Sequence, residues 1–152
     1  SLPSAPCPPP LMTAFLFPGQ GSQAPGMGAA LYGASPEARA LFDEADAVLG
    51  RSLTGLMFGE DADALRPTEV TQPALYVHSL AASAALAARG VRPDVAAGHS
   101  LGEWSALAAV GAVSFADGLR AVRRRGELMA QAGTVRPGAM AAVLGVDAAV
   151  LE

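Results

Sequence analysis

Lysine is absent from the 152 residues; ten arginines stand against 14 acidic side chains, for a formal charge of −4. That balance offers no basic surface and excludes a nucleic-acid partner from the leading readings. Cysteine occurs once, as Cys7, so no internal disulfide can form. The two histidines, His78 and His99, are spaced for no Cys/His metal cluster. One thiol and no disulfide fit a reducing, cytoplasmic setting. Aromatics make up 5% of the chain, and the longest apolar run, around Ala81 to Ala88, is too short and too rich in alanine to span a bilayer. No membrane partner is expected. The opening "SLPSAPCPPPL" has neither the basic start nor the apolar core of a signal peptide. Its prolines cannot pair into a sheet, so residues 1–12 are expected to be a disordered extension, with Met12 a natural start.

Half of the residues are hydrophobic, mostly Ala, Leu and Val, which suits close packing of helices on a sheet. "TAFLF" (13–17) reads as a buried strand and "PGQGSQAPG" as the loop after it. A short helix is expected at Met27 to Tyr32. Ser35 and Pro36 supply the cap and first-turn proline of a helix that ends at Leu49 and is closed by Gly50. Leu53 to Phe58 should be helical, and "GEDADALRPTEV" a surface loop with one turn of helix. Thr71 is the expected cap of a long helix from Pro73 to Arg89, apolar nearly all round and stopped by Gly90. "DVAAG" is a second strand, followed by a helix from Leu101 to Val110. Ser114 to Asp117 form a capping box for a further helix to Gln131, with Gly133 beyond its end. "GAMAAVLGV" (138–146) reads as another strand, and "DAAVLE" as the first turn of a helix. Strands alternating with helices predict an α/β fold with a mostly parallel sheet. Ending one turn into a helix suggests a chain cut from a longer one.

Gly98-His99-Ser100-Leu101-Gly102 sits where a strand turns sharply into a helix. This G-x-S-x-G pattern is the nucleophile elbow of esterases, lipases and acyltransferases. The turn lifts the serine oxygen clear, and the following helix aims its free N–H groups at the same spot, as an oxyanion requires. Arg125 is the second signal. At about 100° per residue, Asp117, Arg120, Arg123, Arg124, Glu127 and Gln131 share one polar arc. Arg125 falls among the apolar residues, between Leu128 and Met129. An inward guanidinium needs an anion; an internal salt bridge, a snorkelling side chain and a substrate carboxylate all satisfy the wheel. The loop "GQGSQA" (19–24) fails as a dinucleotide fingerprint, because Pro25 interrupts the helix start.

Taken together, "FPGQGSQ" (17–23), "TQPAL" (71–75) and "AGHSLGEWSAL" with the later "RGELM" resemble the malonyl-CoA:acyl-carrier-protein transacylases and the related acyltransferase domains of fatty-acid and polyketide synthases. The resemblance implies a large α/β-hydrolase-like subdomain over residues 13–137, with 138–152 entering a ferredoxin-like small subdomain. It implies that Ser100 is acylated by a coenzyme A thioester and that Arg125 holds the free malonyl carboxylate. Backbone N–H groups of Gln20 and Leu101 would form the oxyanion hole. Malonyl-CoA and acyl carrier protein would be the partners in fatty-acid biosynthesis, with no cofactor or metal, since a thioester is already activated. The family's catalytic histidine lies beyond Glu152 on this reading. His99 should leave the elbow in another direction, and His78 is expected to be a core residue. The alternatives are a polyketide synthase acyltransferase domain for malonyl or methylmalonyl, a serine hydrolase, and a non-catalytic fragment. Apolar surface meant for the remaining strands predicts self-association.

Overall fold

The computed structural model describes residues 12–135, with Gly138 and Gly145. Most of the proline-rich extension, the strand expected at 138–146 and the helix start at 147–152 therefore lie outside the described residues.

Two short strands, β1 (Ala14–Phe17) and β2 (Val95–Gly98), pair in parallel, with Ala14 opposite Val95 and Phe17 opposite Gly98. Between them the chain runs through α1 (Ala29–Ala34), α2 (Pro36–Leu49), α3 (Thr54–Phe58), a 3₁₀ turn at Asp63–Leu65 and α4 (Thr68–Ala88). After β2 come α5 (Gly102–Ala109) and α6 (Phe115–Val135). The fold is α/β and mostly helical, built on a parallel pair. The Asp94 carboxylate accepts from Thr13 N–H at 2.8 Å and fastens the two strand starts together.

Local signals set several elements where expected. Ser35 Oγ accepts from Ala38 N–H at 3.2 Å with Pro36 in the first turn, and Gly50 closes α2 at φ 62°. Ser114 Oγ accepts from Asp117 N–H at 3.1 Å at the start of α6. The core lies where α4 meets α2 and α6. Phe42, Leu49, Leu53, Met57, Tyr76, Val77, Leu119 and Val122 are buried in it. Gly118 is required there, because a β-carbon would collide with the Tyr76 ring, which stacks on Phe115.

Several boundaries differ from the expectation. Helix α4 begins at Thr68, so Pro73 is interior and Thr71 is not its cap. Thr71 is fully buried, and its hydroxyl donates to the Leu65 carbonyl, which ties the first turn of α4 to the 3₁₀ turn. Pro73 has no N–H for the carbonyl four residues back; that carbonyl, on Glu69, accepts instead from Arg51 Nη2 at 3.4 Å. Helix α6 continues through Gly133 to Val135, with the Thr134 hydroxyl donating to the Gln131 carbonyl at 2.7 Å. Helix α1 starts two residues late, after Gly28 at φ 90°; a β-carbon on Gly28 would lie 2.6 Å from the Phe42 ring.

One face of the strand pair is open. Leu16 and Val95 share it and are 77% and 48% exposed. Among the described residues, no helix is long and apolar enough to cross a membrane.

Candidate active site

Because β1 and β2 are parallel and end together, the loops after Phe17 and Gly98 emerge side by side at the carboxyl end of the sheet. Ligands of α/β sheets are bound at this end. Crowding explains the glycines of the elbow. A β-carbon on Gly98 would run into the backbone of Gly102, and one on Gly102 into the Phe17 carbonyl. The serine between them is held at φ 53°, the one positive φ of a non-glycine among the described residues. Such a conformation is strained and persists only when its surroundings enforce it. Here the flanking glycines, and the His99 N–H donating to the Phe17 carbonyl at 3.0 Å, do so.

The glycine loop is pressed against this turn. A β-carbon on Gly19 would lie 2.7 Å from both the carbonyl oxygen and Nδ1 of His99. The His99 side chain therefore lies over Gly19. Among the described residues it makes no hydrogen bond to Ser100. Leu101 is fully buried and Gln20 exposed; neither backbone N–H donates a hydrogen bond among the described residues. His78 is half-buried on α4 in a cleft against β1, and desolvation lowers its pKa from the usual imidazole value.

Arg125 is brought in by close helix packing. A β-carbon on Gly126 would sit 2.8 Å from the Thr68 carbonyl oxygen and 2.9 Å from Glu69 Cα, so α6 lies directly against the first turn of α4. Arg125 is half-buried there; its Nη1 donates to Gln72 Oε1 at 2.6 Å and its Nη2 to Ser100 Oγ at 3.1 Å. The other arginines nearby each have a carboxylate partner on their own helix. Arg120 pairs with Asp117 at 2.9 Å, and Arg123 and Arg124 both pair with Glu127. Among the described residues Arg125 has no carboxylate partner. An open cleft of about 570 Å³ adjoins it, lined in part by Trp104, Leu128 and Met129. The arc that the helical wheel marked as apolar is thus partly a cleft wall, with Leu128 48% exposed.

No chemical role was expected for Gln72, and Thr68 was expected only as part of the surface loop "GEDADALRPTEV". Gln72 is fully buried; its Nε2 donates to Thr68 Oγ1 at 3.0 Å and to Met129 Sδ at 3.1 Å. Thr68 Oγ1 in turn donates to Gln20 Oε1 at 2.7 Å. A polar side chain within an otherwise apolar helix was the available signal. Starting the helix at Pro73 left Gln72 and Thr68 outside it and hid that signal.

Among the described residues, these positions comprise a serine on a strained turn, a guanidinium with no carboxylate partner, and two backbone N–H groups that donate no hydrogen bond. Among the described residues no cluster of three or more His, Cys, Asp or Glu could hold a metal. The family profile described as "Acyl transferase domain" matches residues 14–150. The malonyl CoA-acyl carrier protein transacylase of Bacillus subtilis (strain 168) is 52% identical over 139 residues, covering 91% of this chain and 44% of that protein. The solved malonyl-CoA:ACP transacylase of Synechocystis sp. PCC 6803 superimposes with a TM-score of 0.76 at 45% identity, over 80% of this chain and 41% of that one. A malonyl-transacylase solved in complex with a type II PKS acyl-carrier protein gives 0.76 at 42% identity, over 80% and 40%. The chain spans less than half the length of each of these relatives.

Proposed function

The chain belongs to the acyl transferase domain family, and from that premise we propose that it carries the nucleophile and carboxylate clamp of a malonyl-CoA:acyl-carrier-protein transacylase. A histidine from outside residues 1–152 takes the Ser100 proton as Oγ attacks the thioester carbonyl carbon. The N–H groups of Gln20 and Leu101 stabilise the tetrahedral oxyanion. Collapse breaks the C–S bond, and the departing coenzyme A thiolate takes the proton from the histidinium. The phosphopantetheine thiol of a carrier protein then attacks malonyl-Ser100 by the same steps in reverse order. A cytoplasmic setting belongs to the proposal and rests on the single cysteine.

One observation carries the choice of acyl group: the guanidinium of Arg125 is 3.1 Å from Ser100 Oγ and lacks an anion among the described residues. In malonyl-Ser100 the free carboxylate is one methylene from the ester carbonyl, within reach of that guanidinium. A serine hydrolase acting on neutral esters has no use for such a charge, and acetyl would leave it unpaired. Incubation with malonyl-CoA, followed by intact-mass measurement and peptide mapping, should place the adduct on Ser100. An adduct of equal yield in Ser100→Ala contradicts the assignment. Neither His78 nor His99 is hydrogen-bonded to Ser100 among the described residues, so the chain alone should transfer malonyl slowly. A general base supplies about 10²–10⁴-fold in rate. Adding the polypeptide that holds the histidine should restore this factor.

A further inference from the structure

We propose that Thr68 is a positioning residue that keeps the carboxylate clamp and the oxyanion loop in register; the proposal rests on the acyl-transfer reading above. Thr68 is the first residue of α4 and is half-buried between the two parts of the site. Its hydroxyl has a single proton, so the bonds it makes constrain one another. Arg125 Nη1, a donor with no acceptor capacity, lies 2.6 Å from the Gln72 side chain and demands its oxygen. With Oε1 committed there, Gln72 presents its NH₂ to Thr68, whose oxygen must accept at 3.0 Å. The Thr68 proton is then free for Gln20 Oε1, 2.7 Å away. This direction gives every link from Ser100 through Arg125, Gln72 and Thr68 to Gln20 one donor and one acceptor.

The same residue is fixed from behind. Its carbonyl oxygen lies against Gly126, the neighbour of Arg125. Thr68 thus touches α6 with its backbone and the oxyanion loop with its side chain. Without the hydroxyl, the fully buried Gln72 amide keeps, among the described residues, only a thioether as acceptor for its N–H groups, which is a weak partner. Turning that amide to find a better one withdraws Oε1 from Arg125. Gln20 at the same time loses the one side-chain hydrogen bond it makes among the described residues. Removal of a single oxygen should therefore disturb both the selection of malonyl and the stabilisation of the oxyanion, which otherwise belong to separate loops.

The test compares Thr68→Val with Thr68→Ser. In the catalytically complete protein, kcat and KM are measured with malonyl-CoA and with acetyl-CoA. In the chain itself, without substrate, amide hydrogen exchange is followed over residues 18–23, and Tm is recorded. Thr68→Val should lower kcat with acetyl-CoA, which has no carboxylate, by about fivefold. It should lower the malonyl-to-acetyl ratio of kcat/KM by about threefold or more. Exchange over the loop should quicken. Thr68→Ser should return all three to within about twofold of wild type. Wild-type kinetics or wild-type loop exchange in Thr68→Val overturns the proposal, as does a failure of Thr68→Ser to rescue, which would point to packing of the methyl group. If the wild-type protein acquires no malonyl on Ser100, the acyl-transfer reading fails instead. The exchange measurement still decides whether Thr68 holds the loop.

Discussion

Along the polar arc of α6, Arg120 reaches Asp117 at 2.9 Å, and Arg123 and Arg124 share Glu127. On the face turned toward the elbow, Arg125 meets the neutral Gln72 and Ser100. The residue type is the same and adjacent in sequence, and the surroundings differ. Along that arc each guanidinium has a carboxylate one turn away, Glu127 serving two of them, and water screens the charge that remains. Inside, the charge is half-buried, held in place by a buried amide, and given no anion among the described residues. A charge that local partners complete needs no ligand, whereas one held by neutral groups alone can take an anion, which is the role proposed for Arg125.

Ser100→Ala should have the largest effect, since the site face is then left with its cation and no nucleophile. Malonyl transfer in the catalytically complete protein should fall by at least about 10³-fold, measured by carrier-protein loading. Retention of a tenth of the activity would move the nucleophile elsewhere. Gly126→Ala tests the contact that joins the faces. Its β-carbon would meet the Thr68 carbonyl and Glu69 Cα below 3.0 Å, so α6 must shift. A stability loss of about 1–3 kcal/mol by denaturant unfolding is expected, with a lower malonyl-to-acetyl ratio as Arg125 moves.

Arg120→Ala probes the polar arc away from the cleft. Its pair with Asp117 is exposed on both sides and screened by water, so stability should change little. The acyl-group ratio should stay at the wild-type value; a change in it would erase the distinction between the faces. The smallest effect concerns pH. The hydrogen bond from Ser114, followed by that from Arg120, depresses the pKa of Asp117 below the ordinary carboxylate value. Its contribution to stability is therefore present above the unfolded-state pKa and lost as pH falls through the folded-state value. Asp117→Asn should flatten the acid side of a stability–pH curve without altering the neutral plateau of activity.

What was legible in the sequence follows from how local each cause is. Ser35, Pro36 and Gly50 act within one turn of their own backbone, and they bounded α2 as read. The crowding that demands Gly98 and Gly102 is also local to one strand, turn and helix, although the Phe17 carbonyl contributes from the neighbouring strand. The start of α4 was not legible, because Thr71 bonding to Leu65 and Arg51 at the Glu69 carbonyl stabilise a first turn that Pro73 alone would discourage. With that turn misplaced, Gln72 and Thr68 were lost as well. The helical wheel separated Arg125 from its neighbours. Its partner Gln72, 53 positions earlier, could come only from the packing of α6 on α4.

The central claim, that Arg125 is left without an anion in order to hold one from the substrate, is tested most directly by Arg125→Ala in the catalytically complete protein. The measurement is the malonyl-to-acetyl ratio of kcat/KM. A charge-assisted hydrogen-bonded pair is worth about 1.5–3 kcal/mol, so the ratio should fall by about tenfold or more. Acetyl transfer should be retained or improved. An unchanged ratio accompanied by a lower unfolding midpoint would contradict the claim and make Arg125 a structural partner of Gln72 alone.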